Sequence, residues 1–472
     1  MTAIETLLRR LQHPTDNLPL VVFRVAFGLL MFAGTVRFVA NGWVEAFYVQ
    51  PAFHFSYYGF GWVKPLPGPW LYVVYAAVAL LALGVAVGAF YRASIIGFFL
   101  LFTYTELLDK TYYLNHYYFI SVLSFLMIFL PLNRRAAVDG LIWPALRSEV
   151  APAWTLAALR LQLGLVYFFA GLAKLNPDWL LQALPLKIWL AAKADFPLLG
   201  PLFEAGWFAY AMSWSGALYD LSIVFWLLYR PTRLPAYLAV IGFHLLTGLL
   251  FNIGMFPYIM IACTLVFFSA DELGWVNQGF HKVKTIGRQF SGHVERRTWN
   301  VASHDHTSRP TSHVPRPTSL KKLTQPTIFV VLTAFFALQI LLPLRHWLYP
   351  DNVLWTEEGY RFAWKVMLAE KTGHVTFTIT EPASGRSWDV FPAAYLTYQQ
   401  EKQMSFQPDM ILEFAHYLEQ QFRQQGFADL EIRAEAYVSL NGRPSRLLLD
   451  PTVDLTRRAN TLAHQDWILP SP

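Results

Sequence analysis

The chain has 472 residues, of which 55% are hydrophobic, 17% aromatic and only 14% charged. Soluble domains carry roughly 25% charged residues, so this composition excludes a single water-soluble globule. The net charge of +6 is modest and no nucleic-acid partner is expected, while the lone cysteine, Cys263, excludes an intrachain disulfide.

Residues 1–19 are polar, bear Arg9 and Arg10, and are expected in the cytoplasm. Apolar runs follow at 20–39, 70–90, 94–108, 116–131, 154–174, 207–228, 234–251 and 255–269. Backbone groups in lipid must be bonded within their own segment, so each run predicts a helix. The first run is too long for a signal-peptide core and has no small-residue cleavage site, so it reads as a retained span. The third, fourth and eighth runs are short, which points to a tilted or re-entrant segment among them. Arg92, then Arg134, Arg135 and Arg147, then Arg230 and Arg233 fall in loops on the side of the N-terminus. That agrees with a cytoplasmic excess of basic residues.

Residues 20–269 therefore form a helical membrane domain. The segment 270–325 contains "SHDHTSRPTSHVPRPTS" and reads as a basic, disordered cytoplasmic linker. Its histidines lack a fixed ligand spacing, and no metal site is expected. A last span covers 326–345. Residues 346–472 are polar and form an extracytoplasmic soluble domain. There "HVTFTIT" (374–380) alternates as a strand. Residues 408–427 read as one amphipathic helix, and "AEAYVSLNGRPSRLLLD" as a hairpin turning at Asn441-Gly442. The fold class expected is a multi-span α-helical membrane bundle of about eight or nine transmembrane helices, with a C-terminal α+β, sheet-dominated domain.

Ionisable residues in spans are costly and mark interior or water-filled sites. Here they are Arg24, Arg37, Glu106, Asp109, Lys110, His116, Arg160, Lys174, Asp220 and His244. By the span count Asp109, Lys110, Asn115, His116, Lys174, Asn252 and Phe256 share one depth and line a cavity opening outwards. Tyr112, Tyr113, Tyr117, Tyr118 and Trp179 supply aromatic walls that suit a flat apolar ligand such as a quinone. Each has a plainer reading: an interfacial aromatic belt for the rings, and snorkelling to the lipid boundary for Lys174. Arg24 and Arg160 read as structural, each paired with an acid or carbonyl across the bundle, with Asp220 as one such acid. "GVAVG" (84–88) reads as a helix-packing pattern.

The segments "LLDKTYYLNHYY", "VYFFAGLAKLNPDW", "FHLLTGLLFNIGMFPYIM", "EEGYRFAWKVML" and "AYVSLNGRPSRLLLDPTVDL", in that order, resemble segments of vitamin K-dependent γ-glutamyl carboxylases. The resemblance extends from about residue 20 to about 456. It implies a reaction of reduced vitamin K, of phylloquinol or menaquinol type, with O2 and CO2. A lysine base deprotonates the quinol, oxygenation generates a strong base, and that base removes a γ-proton from a protein glutamate, which captures CO2. The quinone leaves as its epoxide, and no metal takes part.

Lys174 falls at the family's base lysine and His116 at a histidine supporting proton transfer. Tyr167, Phe256, Trp364, Met367 and Asn115 fall around the quinone. Tyr360 and Arg446 fall on the glutamate side, with Asp109, Lys110, His244 and Asn252 as supporting residues. The partners implied are membrane lipids, a glutamate-containing protein or peptide with a recognition segment, and a quinone reductase. Animal members have a second lysine where Ala173 stands, a disulfide, a longer tail and a different linker. The missing disulfide and short tail lean towards a bacterial protein in the plasma membrane, with its active site and C-terminal domain outside. A quinol epoxidase without glutamate carboxylation, and a non-enzymatic quinone or lipid carrier, are the alternative readings.

Overall fold

The structure is a computed structural model that describes residues 3–251, 253–274 and 325–471. Helix α1 (Ala3–Gln12) is amphipathic. After it, strand β1 (Pro14–Asp16) pairs antiparallel with β2 (Val150–Pro152). The membrane domain continues with α2 (Leu18–Ala40), α3 (Gly68–Val87), α4 (Tyr91–Leu107), α5 (Asn115–Phe129), α6 (Val138–Ile142) and α7 (Ala153–Ala173). Three short helices, α8 (Pro177–Gln182), α9 (Leu186–Ala191) and α10 (Gly200–Glu204), lead into α11 (Gly206–Leu228), α12 (Arg233–Leu250) and α13 (Phe256–Thr264). Helix α14 (Gln325–Leu344) follows the undescribed segment. The linker reading and its histidines lie outside the described residues.

Six helices among the described residues are long and apolar enough to cross a membrane: Leu18–Ala40, Gly68–Val87, Ala153–Ala173, Gly206–Leu228, Arg230–Leu250 and Pro326–Leu348. The other apolar helices are shorter: α4 has 17 residues, α5 has 15, and the last runs Phe256–Phe267. At 1.5 Å per residue α5 is about 22 Å long, against about 30 Å of hydrocarbon. The expected eight or nine spans thus resolve into six full-length helices and three short ones. The short ones leave a recess within the bundle.

Polar groups inside the bundle are satisfied locally. Arg24 is 0% exposed. It donates to the carbonyls of Ala86 (3.2 Å), Leu132 (2.8 Å) and Ala136 (2.5 Å), which the end of α3 and the α5–α6 loop leave unpaired. Arg160 likewise donates to the Val266 and Phe267 carbonyls. Neither arginine pairs with Asp220, whose partner is a lysine described below. In "GVAVG", Gly84 packs against α4, where a Cβ would fall 2.5 Å from Ser94 Oγ. Gly88 acts through its backbone instead, ending α3 at φ +65° in the left-handed conformation that favours glycine. Helices α2 and α3 cross almost backbone to backbone, since a Cβ on Gly28 would lie 2.5 Å from Ala86 N.

The C-terminal domain holds a short helix α15 (Val353–Thr356) and an antiparallel sheet in the order β4-β3-β5-β6. Its strands are β3 (Lys371–Glu381), β4 (Arg386–Val390), β5 (Glu431–Leu440) and β6 (Arg446–Leu447). Between β4 and β5 come α16 (Tyr398–Met404) and α17 (Pro408–Gln424). Val375, Phe377 and Ile379 alternate onto the buried face of β3, as period two requires. They pack with Met410, Ile411, Phe414 and Leu418 of α17. The β5–β6 turn carries Asn441 and Gly442 at φ +53° and +75°, the conformation that Asn-Gly favours at a two-strand turn.

The two parts are continuous. Trp179, Leu186, Phe203 and Leu250 of the membrane domain share one apolar core with the sheet. Polar ties reinforce it: Arg443 pairs with Asp178 at 2.5 Å, Trp189 donates to Glu370 at 2.6 Å, and Ser56 Oγ donates to Glu413 at 2.6 Å.

Candidate active site between the helices and the sheet domain

A cavity of about 1110 Å³ lies where the short helices stop. Its apolar end is lined by Met31, Val78, Ile120 and Ile259, from α2, α3, α5 and α13. Its polar end is lined by Glu357, Tyr360, Lys365 and Gln403 of the C-terminal domain. Asn115, His116 and Phe256 line it too, at the first residues of α5 and α13. Among the described residues, neither ring nitrogen of His116 has a hydrogen-bond partner. Glu106, near the end of α4, also lines the chamber.

The segment 357–367 roofs this chamber, and its backbone is unusual. Glu357, Phe362, Trp364 and Met367 all have φ between +54° and +62°, and Gly359 has +79°. Left-handed conformations in non-glycine residues cost about 1–3 kcal/mol each and persist only where the surroundings impose them. Here the surroundings are specific. Phe362 N donates to Tyr113 Oη (2.8 Å), Tyr113 Oη donates to Asn115 Oδ1 (3.1 Å), and Asn115 Nδ2 donates to the Lys365 carbonyl (3.0 Å). Arg345 donates to the Arg361 carbonyl (2.8 Å). Trp364 is buried against Tyr118, ring centroids 4.9 Å apart. The turns leave Lys365 and Met367 lining the chamber, and Trp364 in the helical core behind it.

Lys174 is the C-cap of α7. It is 5% exposed, so it does not snorkel to water. Its Nζ lies 2.6 Å from Asp220 Oδ2 and 3.3 Å from the Ala170 carbonyl. It also stands 5.3 Å from the centroid of the Trp179 ring. The "NPDW" that follows does more than break a helix: Asn176 Oδ1 accepts from Trp179 N at 3.0 Å and starts α8, with Pro177 at its first position. Asp178 then reaches the Asn441–Arg443 turn of the sheet, accepting from Asn441 Nδ2 at 2.7 Å.

Lys174 does not line the chamber. A row of aromatic and imidazole rings lies between. The Phe256 ring stands 5.7 Å from His116 and 5.6 Å from His244. His244 Nε2 is 3.0 Å from Tyr167 Oη. Tyr219, whose ring is 5.9 Å from that of Tyr167, is the neighbour of Asp220.

Of the residues expected at the site, Lys110, Asn115, His116, Phe256, Tyr360 and Met367 line the chamber, whereas Lys174, Tyr167, Trp364, His244, Asp109 and Arg446 do not. Asn252 lies outside the described residues. Asp109 and Lys110 join the two domains instead. Asp109 accepts from Gln400 Nε2 at 3.0 Å and from Thr111 N at 2.9 Å; burial pushes its carboxyl up to about 6. Lys110 pairs with Asp409 (2.8 Å) and Glu413 (2.9 Å). Burial alone would raise the Asp409 carboxyl, but Arg361 and Lys110 outweigh it and hold that group well below the usual carboxylate range. Arg446 is exposed on β6 opposite Val438. The chamber also contains residues that hydropathy and motif did not single out: Arg361 and Lys365 in the roof, and Lys371 at the start of β3.

A helical membrane domain closed over a shared chamber by a sheet domain defines the class, and residues 12–272 match the HTTM domain. Residues 324–472 match the lumenal domain of vitamin K-dependent gamma-carboxylase. The chain belongs to the vitamin K-dependent gamma-carboxylase family. Membership implies reduced vitamin K, O2 and CO2 as reactants, a glutamate-containing protein substrate and a lumenal placement of the sheet domain. No solved structure matches the chain significantly.

Proposed function

We propose that the protein is an integral-membrane γ-glutamyl carboxylase. It couples oxidation of reduced vitamin K to the epoxide with addition of CO2 to a protein glutamate. The observation that carries this reading is the single chamber, apolar among the membrane helices and polar beneath the sheet domain. A lipid-soluble quinol and a protein side chain can enter one space from its two ends.

The residues present fit a quinol. The chamber exceeds the roughly 300–1,000 Å³ typical of ligand pockets, its inner end is apolar, and His116 has ring nitrogens available to a hydroxyl. When bound, the quinol supplies, on reaction with O2, the strong base that removes the glutamate γ-proton. The chain's own residues bind, exclude water and take up a proton. Water must be kept out while that base exists, and the packed roof of Phe362 and Trp364 serves that end.

In this reading Lys174 and Asp220 accept the proton as a pair. An ammonium is not a base, but the pair is. Whether their shared proton sits on Nζ or on Oδ2, the pair is neutral overall. One more proton makes it an ammonium beside a carboxylic acid. The Trp179 face, 5.3 Å from Nζ, stabilises the positive charge so formed. The row of rings from Phe256 through His244 and Tyr167 to Tyr219 stands between this pair and the chamber, so the quinol proton must cross that row to reach it. Tyr167 and Trp364 act here as positioning residues, one holding His244 and the other packing behind the roof. We place the protein in a bacterial plasma membrane with the sheet domain outside, its quinol regenerated by a separate reductase.

The test is a product assay on purified protein in nanodiscs with vitamin K hydroquinone, labelled bicarbonate and a glutamate-containing peptide. Epoxide together with label fixed in γ-carboxyglutamate is expected. Epoxide without fixed label would make the protein a quinol epoxidase, and neither product from folded protein would leave a carrier.

A further inference from the structure

We infer that Lys365 is the residue that binds the side-chain carboxylate of the substrate glutamate, an inference that rests on the carboxylase reading above. The cations around the polar end of the chamber are mostly committed. Lys110 pairs with Asp409 and Glu413, Arg361 pairs with Asp409, and Lys371 pairs with Glu357 at 2.9 Å. Lys365 is buried, 5% exposed, and lines the same chamber. Among the described residues it has no carboxylate within ion-pair distance; its Nζ neighbour is His346 Nε2 at 3.5 Å.

Burying an ammonium is unfavourable unless an anion or several acceptors compensate it. A chamber wall that carries such a group is therefore prepared for an anion arriving from outside. Its position is also imposed rather than incidental. Left-handed Trp364 and Met367 flank it. Its carbonyl is fixed by Asn115 Nδ2 at 3.0 Å and Tyr360 Oη at 3.4 Å. The Asn115 bond ties the Lys365 backbone to the first turn of α5, where His116 lines the chamber. A carboxylate held by Lys365 is thus held in the space that His116 borders.

The ligand chemistry follows. A glutamate side chain brings one carboxylate and leaves with two, so a lone ammonium recognises it by charge, whereas glutamine brings none. The charged and titratable groups around Lys365 are His346, from the 3-10 turn after α14, and Glu357 and Tyr360 of its own segment, with Arg361 and Lys371 on the same wall. Burial lowers the Lys365 ammonium to about 8, with Glu357 opposing that fall. Glutamate binding should therefore weaken as pH rises through that range.

The experiment measures binding of a fluorescent glutamate peptide and its glutamine counterpart by anisotropy in nanodiscs. It compares wild type, Lys365→Gln and Lys365→Arg at pH 7 and pH 9. A charge-assisted contact gives wild type roughly a ten- to hundredfold preference for glutamate. That preference should disappear in Lys365→Gln, shrink in wild type at pH 9 and persist at both pH values in Lys365→Arg. A preference that survives in folded Lys365→Gln overturns the inference. If that variant does not fold, Lys365→Arg decides: a fall between pH 7 and 9 equal to that of wild type overturns it equally. The two readings fail separately. Wild type that makes no γ-carboxyglutamate refutes the carboxylase, whereas wild type that carboxylates while Lys365→Gln keeps its preference refutes only the role of Lys365.

Discussion

Lys174→Met and Asp220→Leu, made singly and together, separate the structural role of the buried pair from its chemistry. The charges stand 2.6 Å apart, on side chains only 7% and 6% exposed. With an effective dielectric constant of about 20, Coulomb's law gives about 6 kcal/mol of attraction at that distance. Desolvation opposes it by several kcal/mol per ion, so the net contribution of the intact pair is small. Either single substitution leaves a buried charge without its partner and should destabilise the protein by about 3–5 kcal/mol. The double substitution removes both charges and should recover most of that loss. Turnover should behave differently. A positioned base contributes about 10²–10⁴-fold, and neither the single nor the double variants retain the pair proposed to take up the proton. All three should form epoxide at least about a hundredfold more slowly. Unfolding in mixed micelles by detergent titration reads stability, and chromatography of the quinone products reads turnover. A double variant that regains both stability and turnover would refute the base and leave a structural ion pair.

Other consequences concern how the domains are joined. Arg443→Ala removes the contact with Asp178, but the pair is partly exposed, so the expected loss is about 1 kcal/mol. It should appear as faster release of the sheet domain by limited proteolysis, and unchanged protease kinetics would count against the contact. Asp409 is held below the usual carboxylate range, so its contribution is present above that range and is lost only as pH falls below it. Wild type should therefore keep its domains docked through about pH 4, near the ordinary carboxylate value, while Lys110→Met should become protease-sensitive at a higher pH. Gly28→Leu forces side-chain atoms into the backbone of α3 and should destabilise the bundle by about 1–3 kcal/mol or more; an unchanged unfolding midpoint would contradict the backbone-to-backbone crossing.

Much of this architecture could be read from the sequence, for identifiable reasons. Period-two alternation placed the strand around Val375, Phe377 and Ile379, and Asn441-Gly442 marked the β5–β6 hairpin. Apolar length located the helices and marked the third, fourth and eighth runs as short, which are α4, α5 and α13, but hydropathy did not register that their ends open onto one chamber. Strands β1 and β2, at three residues each, are below any periodic signal. The Lys174–Asp220 pair joins residues 46 apart on helices that are apolar on most sides, so no pattern fixed which face of α11 would meet α7. Asn176-Pro177 did carry a signal for starting a helix, since the pair suits an N-cap and first position. Lys365 was hidden for a different reason. Its direction depends on left-handed Trp364 and Met367, and nothing in those residue types announces a positive φ. The six candidate residues that line the chamber lie at the ends of helices or in the roof. Lys174, Tyr167, His244 and Trp364 sit behind its wall, while Arg446 is exposed on the sheet.

The shared chamber can be tested directly by photocrosslinking in nanodiscs. A photoreactive vitamin K analogue and a peptide carrying a photoreactive group beside its glutamate are each attached, and the labelled residues are found by mass spectrometry. The quinone label is expected on Met31, Ile120 or Phe256, and the peptide label on Tyr360, Lys365 or Gln403, each reduced when the other ligand fills the chamber. Labels falling on separate surfaces, with neither ligand affecting the other, would contradict a single site where quinol and glutamate meet.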